Sequence, residues 1–247
     1  MEPVSLILLV VAAGFAGFID SIVGGGGVIT LPALLATGMP PHAAVATNKV
    51  VGTGASSIAT WNYARAKLLH PRLAWLLWPV AAGTSALGAW TIQRLDGRFV
   101  LWAVLAVMAA LTLYVLLRPR FGLEDRTRMD GRTFALLTLA VAAIGYYDGF
   151  LGPGTGNLLL FAIVSIAGFP LLRAAAHGRV WNFGSNVGAL TYWSTTGLID
   201  WRLGPLMAIG TVTGGWLGSR SNIRSGAKWV RPLFVIAAAA LFVRLLL

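Results

Sequence analysis

The 247-residue chain has no cysteine and little charge. Without cysteine it can form no disulfide, no thiolate metal site and no cysteine nucleophile. Its eight acidic residues are too few and too scattered for the paired carboxylates of general acid and base work. Charged residues make up 11% of the chain, against about a quarter in a soluble globular domain. So little polar surface cannot cover a globule in water, and a soluble fold is excluded. No Lys-Ser or Lys-Thr follows a glycine cluster at P-loop spacing, and no dinucleotide fingerprint occurs. A Thr-Val-Gly-Tyr-Gly potassium filter is also missing, as is any metal-spaced set of histidines and carboxylates.

Apolar sequence is present in quantity. Hydrophobic residues make up 57% of the chain, and the mean hydropathy of +0.77 is spread along its whole length. This predicts a single polytopic membrane domain over residues 1–247. The 30 glycines fit close helix packing in lipid, and the 10 tryptophans fit the headgroup boundary. Trp75, Trp78, Trp90, Trp201 and Trp229 fall near span ends, as such anchors do. The first apolar stretch, Val4 to Phe18, has only Glu2 as a charge before it and reads as a helix, not a cleaved leader. The formal net charge of +11 falls mostly in short gaps between apolar stretches, so it reads as a topology signal and not a nucleic-acid footprint. The expected partners are the lipid bilayer and a small solute, with no cofactor and no nucleic acid; a homo-oligomer is compatible with the sequence.

About 20 apolar residues cross a bilayer core. Spans are expected over 4–23, 42–64, 73–93, 98–117, 133–151, 171–196, 203–221 and 229–247. Two further apolar stretches, 28–37 and 157–167, are too short to cross. Each follows a glycine cluster and is closed by Gly38-Met39-Pro40-Pro41 or by Gly168-Phe169-Pro170. The expected fold is an all-α polytopic membrane protein of about eight transmembrane helices plus two short half-helices or re-entrant segments.

The two halves repeat. Gly17 and Asp20 align on Gly145 and Asp148; after a two-residue slip, Gly38, Lys49, Gly54, Arg72, Gly88 and Arg94 align on Gly168, Arg179, Gly184, Arg202, Gly218 and Arg224. Repeat 1 spans about 4–117 and repeat 2 about 133–247, joined by a polar loop over 118–132. An inverted arrangement puts 12 basic residues on the side of that loop and leaves Arg94, Arg98 and Arg202 on the other; a parallel one divides them 9 to 6. The positive-inside bias favours inversion with the loop in the cytoplasm. Internal repeats with interrupted apolar segments in matching places point to a transporter with its site at the repeat interface.

Each glycine cluster follows an aspartate by four residues: Asp20 before Gly24, Gly25, Gly26 and Gly27, and Asp148 before Gly152-Pro153-Gly154-Thr155-Gly156. Glycine runs at membrane depth free backbone amides, and the short helix after each would aim its positive end at the cluster, a geometry suited to anions. A tight turn between closely packed helices explains the glycines alone equally well. Lys49 and Arg179 lie inside predicted spans at matching places, where an unpaired charge is expensive and tends to line a cavity. Snorkelling to the interface is the alternative. Amides and hydroxyls gather beside them: Thr47 and Asn48 in the first half, His177, Asn182, Ser185 and Asn186 in the second. Such groups suit an oxyanion stripped of water. Asp20 and Asp148 could cap the turns, pair with the cations or carry a coupling proton.

The stretch Gly17 to Gly27 with Ala46-Thr47-Asn48-Lys49, followed by Gly145 to Gly156, resembles the TauE/SafE sulfite exporter family. The likeness covers nearly the whole chain. It implies a non-enzymatic secondary transporter in the bacterial inner membrane, an exporter of sulfite, sulfoacetate or other organosulfonates. The family's Asn-Lys motif falls on Asn48 and Lys49. Where relatives often have His-Thr-Lys, this chain has His177-Gly178-Arg179, which keeps the cation and loses a hydroxyl. The expected substrate-binding set is therefore Lys49, Arg179, Asn48, Thr47, His177, Asn182, Asn186, Gly25, Gly26, Gly27, Gly154, Thr155 and Gly156, with Asp20 and Asp148 as coupling or structural groups. An anion channel and an import carrier for a cation or metal remain as alternatives.

Overall fold

A computed structural model describes residues 3–106 and 127–225. The described residues form helices α1 (Pro3–Val23), α2 (Gly27–Leu35), α3 (Pro41–Arg65), α4 (Pro71–Ile92), α5 (Gly97–Ala106), α6 (Gly131–Phe150), α7 (Thr155–Ala162), α8 (Leu171–Ser194) and α9 (Leu203–Ser225). A π-helical turn, Ile163–Ala167, continues α7. The expected span 98–117 is described only to residue 106, and the span 229–247, with Trp229, lies outside the described residues.

The breaks follow from local chemistry. Pro41 and Pro71 occupy the first position of α3 and α4, where a missing N–H costs nothing, and Pro170 is the N-cap of α8. The short segments before α3 and α8 end on Gly38 and Gly168, with φ of +82° and +68°, a left-handed conformation that stops a helix and that glycine adopts without a Cβ clash. At 9 residues, α2 rises only about 14 Å, less than half of the roughly 30 Å apolar core. Asp130 caps α6 by accepting from the Thr133 N–H at 2.7 Å.

Among the described residues, only α1, α4 and α6 are long and apolar enough by composition alone to cross a membrane. The helices α3, α8 and α9 are at least as long, with 25, 24 and 23 residues, but carry polar side chains inward. Their lower hydropathy is the consequence of lining the interior. The interior is built largely from small residues, such as Ala13, Ala16, Ala44, Ala59, Ala174 and Ala176, while Val4, Leu8, Trp102, Leu139 and Ile209 are exposed on the outside. Small residues within and large apolar ones without is the distribution of a helix bundle solvated by lipid.

The two halves exchange partners. Helix α1 packs on α9 and α4 packs on α6, while α3 and α8 cross at the centre. The close approaches match residue by residue: Gly17 on Thr211 and Gly145 on Ala81; Gly218 on Phe18 and Gly88 on Tyr146; Gly54 on Ala208 and Gly184 on Trp78. Each pair joins a residue of one half to the other half, at positions equivalent under the sequence repeat. The glycines recur because a Cβ at these points would run into the facing helix.

Candidate functional site

The sequence repeat brings its two irregular turns face to face. A Cβ on Gly24 would lie 2.5 Å from the carbonyl carbon of Gly156, and one on Gly156 would lie 2.6 Å from the Gly24 Cα. A Cβ on Gly27 would lie 3.3 Å from the Pro153 Cα. Gly24, Gly25, Gly152 and Gly154 all have positive φ, between +78° and +101°. The backbone of each turn thus occupies the space that side chains would need on the other. The half-helices α2 and α7 start from this junction; α2 packs on α1 and α3, and α7 packs on α6 and α8.

Two ion pairs cross it. The Lys49 ammonium lies 3.1 Å from Asp148 Oδ1 and also donates to the Asp148 backbone carbonyl, in the last turn of α6 where the helix dipole favours a cation. Arg179 Nη1 donates to Asp20 Oδ2 at 2.7 Å and to Asn182 Oδ1 at 3.3 Å. Each cation of one half therefore holds the carboxylate of the other. Lys49, Asp148 and Arg179 are no more than 2% exposed, and Asp20 is 9% exposed. Such pairs add little net stability, but losing one member strands a charge at a cost of about 3–5 kcal/mol.

A cavity of about 30 Å³ opens between the turns. Of the expected residues, Asp20, Gly25, Gly26, Gly27, Asn48, Lys49, Asp148, Gly154, Thr155, Gly156, Asn182 and Asn186 line it. Arg179 reaches the same junction through Asp20, Asn182 and Gly156, whose missing Cβ leaves room for the guanidinium. Local hydrogen bonds hold the polar lining: Gly26 N–H donates to Asp20 Oδ1 at 3.0 Å, Thr155 Oγ1 to Asp148 Oδ1 at 2.7 Å, and Asn186 Nδ2 to the Asn182 carbonyl at 2.8 Å.

Two expected residues lie elsewhere. Thr47 Oγ1 accepts from the Asp200 N–H at 3.0 Å, in the α8–α9 connection. His177 is buried against Phe169 and Trp181, accepts from the His70 N–H at 3.0 Å, and faces the Arg173 carbonyl at 2.8 Å. Both stand two residues from a cation on a helix, and residues two apart point away from each other. The structure adds residues that spacing did not single out, chiefly Thr30 and Gly52. Thr30 donates to Asn48 Oδ1 at 2.6 Å and so fixes the amide beside Lys49; its place one turn into α2, after the glycine run, is the signal that could have found it. Among the described residues no group of three His, Asp or Glu is arranged to hold a metal ion.

The family model described as Sulfite exporter TauE/SafE matches residues 9–245. The chain belongs to the TauE/SafE family. The probable membrane transporter protein ORF9 of a Sinorhizobium species is 42% identical over 243 residues, covering 98% of this chain and 92% of its own. The probable membrane transporter protein YfcA of Escherichia coli K12 is 38% identical over 247 residues, covering 100% and 91%. A probable membrane transporter protein of Haemophilus influenzae is 40% identical over 237 residues, covering 94% and 91%. No solved structure matches the chain. As a TauE/SafE member with this helical, lipid-facing architecture, the chain is a multi-pass bacterial membrane protein of a transporter family.

Proposed function

We propose that this TauE/SafE protein is a secondary carrier, not an enzyme, that exports small sulfur-containing anions such as sulfite or organosulfonates. The carrying observation is the crossed arrangement of Lys49–Asp148 and Arg179–Asp20 around one cavity at the junction of two glycine turns. The cations neutralise the substrate; Asn48, Asn182, Asn186, Thr155 and the glycine-turn amides receive its oxygens. Hydrogen bonds to a dehydrated oxyanion, not bulk charge alone, give selectivity for a compact oxyanion over chloride. The expected contributions of Thr47 and His177 reduce to holding the α8–α9 connection and the α4–α8 contact.

Alternating access is by rocking of two inverted repeats, about 4–117 and 133–247, around the fixed junction. The positive-inside bias of the sequence and the reciprocal packing of α1 on α9 and α4 on α6 support this reading. The two turns touch backbone to backbone, which gives a pivot without bulky side chains to reorganise.

Uptake of labelled sulfite or an organosulfonate into proteoliposomes tests the proposal. Wild-type protein should give saturable flux, and Lys49→Gln and Arg179→Gln should each lower it at least tenfold while remaining folded. Undiminished transport in both variants sinks the central-cation reading. Flux that fails to saturate would point to a channel instead.

A further inference from the structure

The two buried pairs are equivalent in sequence but not in bonding. Asp20 uses both oxygens: Oδ1 accepts from the Gly26 N–H at 3.0 Å and Oδ2 from Arg179 Nη1 at 2.7 Å. A proton on either oxygen would weaken that oxygen as the acceptor of one of these bonds. Asp148 instead concentrates its partners on one oxygen, since Lys49 Nζ and Thr155 Oγ1 both meet Oδ1, at 3.1 and 2.7 Å. Its Oδ2 is buried and has no hydrogen-bond partner among the described residues. An ionised carboxylate with one unsatisfied buried oxygen is costly, whereas the neutral acid can place its proton on that oxygen without breaking an existing bond. The counter-cations differ in the same sense. Arginine stays charged under all ordinary conditions, while lysine is a mobile ammonium that can release its partner and turn to another.

We propose that Asp148, and not Asp20, binds a proton that is taken up together with the anion. This rests on the reading of the cavity as an anion site. With both pairs ionised, Lys49, Arg179, Asp20 and Asp148 sum to no net charge, so an anion entering the cavity competes with two resident carboxylates. One proton on Asp148 Oδ2 removes the charge pairing between Asp148 and Lys49 and leaves Oδ1 a neutral acceptor. Lys49 stays anchored on the Asp148 backbone carbonyl, and its free charge meets the anion. The cavity then holds one net positive charge, matched to a monoanion. No covalent bond is made or broken other than that of the carried proton. The Asp20–Arg179 pair, with every partner in place, serves as the fixed half of the site.

Among the described residues, the groups that face Asp148 are few. From α3 comes Lys49, from α8 Arg179 near Gly156, and from α1 Asp20 across the cavity. Helix α7 brings Thr155, and α6 itself brings Tyr147, whose hydroxyl donates to the Pro153 carbonyl at 2.6 Å. Helix α4 packs against the neighbouring Gly149 with Ser85, and its one ionisable residue, Arg72, is exposed in its first turn.

The experiment is equilibrium binding of methanesulfonate as a function of pH, because this probe keeps a fixed single charge throughout. Wild-type affinity should rise up to about tenfold for each pH unit lowered, the slope of one linked proton. Asp148→Asn should bind with an affinity that no longer changes with pH, and Asp20→Asn, weaker overall, should keep the wild-type slope. A wild-type slope retained in Asp148→Asn, or lost in Asp20→Asn alone, overturns the assignment. A flat wild-type profile with clear binding overturns the proton proposal but leaves the anion site standing, whereas no binding at any pH overturns both. Should Asp148→Asn fail to fold, proton uptake by wild-type protein in weakly buffered detergent decides: one proton per bound anion is expected, and none refutes it.

Discussion

Removing one member of the Lys49–Asp148 pair should be far worse than removing both. Lys49→Met leaves the Asp148 carboxylate 2% exposed, with only Thr155 Oγ1 donating to it. Stranding a buried charge in this way costs about 3–5 kcal/mol, equivalent to roughly two to four powers of ten in the folding equilibrium. Asp148→Leu strands the ammonium instead, relieved in part by the Asp148 position's backbone carbonyl. The double variant Lys49→Met/Asp148→Leu removes both charges and replaces them with apolar groups of similar size, a change that is often neutral or stabilising. The double-mutant cycle should therefore show a coupling of at least about 3 kcal/mol, because the two single costs add while the double variant costs little. Unfolding in mixed micelles, followed by the fluorescence of buried Trp181 and Trp193 on α8, measures it. Single variants that each cost under about 1 kcal/mol and add independently would refute the pairing as an energetic unit.

Other outcomes follow from the same contacts. Gly88→Ala forces a Cβ into the Tyr146 backbone and should cost about 1–3 kcal/mol by overpacking, whereas Gly83→Ala, on the same helix with open space around it, should be neutral or stabilising by up to about 1 kcal/mol; thermal unfolding separates them. Because the chain has no cysteine, single cysteines placed at Thr30 and Asn186 can be labelled without background. Aqueous thiol reagents should modify both, and sulfoacetate should protect both; labelling that the anion leaves unchanged would speak against their place in its path. Thr47→Val and His177→Gln should alter stability while leaving the anion affinity within about twofold, as neither side chain lines the cavity. The Thr133 N–H, with Arg132 and Arg128 nearby, holds the exposed Asp130 carboxyl below the usual carboxylate range. Its capping contribution is present above that range and fades as pH falls through the lowered value, so the melting-temperature gap between wild type and Asp130→Ala should narrow on acidification from about pH 6 to about pH 3.

Periodicity and punctuation made most of the described helices legible. The glycine-proline closures at Gly38 and Gly168 located α2 and α7 as short segments, and the repeat placed Lys49 and Arg179 as counterparts. The crosswise pairing was not legible, because Lys49 meets Asp148 and Arg179 meets Asp20 at separations of 99 and 159 residues, where nothing local encodes the contact. Thr47 and His177 were drawn into the expected site by nearness in sequence, although a two-residue step on a helix turns a side chain to the far face. Composition alone also sets α3, α8 and α9 apart from α1, α4 and α6, since buried polar residues such as Lys49, Asn182 and Ser219 lower their hydropathy. The orphan oxygen of Asp148 is a matter of tertiary geometry, and no pattern distinguishes Asp148 from Asp20 in one dimension.

Binding of radiolabelled sulfite to the purified, detergent-solubilised protein is the most direct measurement. Wild-type protein should bind saturably with one anion per chain. Lys49→Gln and Arg179→Gln, checked for monodispersity and cooperative unfolding, should lose that binding while Thr47→Val retains it. Saturable binding of undiminished affinity in folded Lys49→Gln and Arg179→Gln would contradict the assignment of the cavity as the anion site.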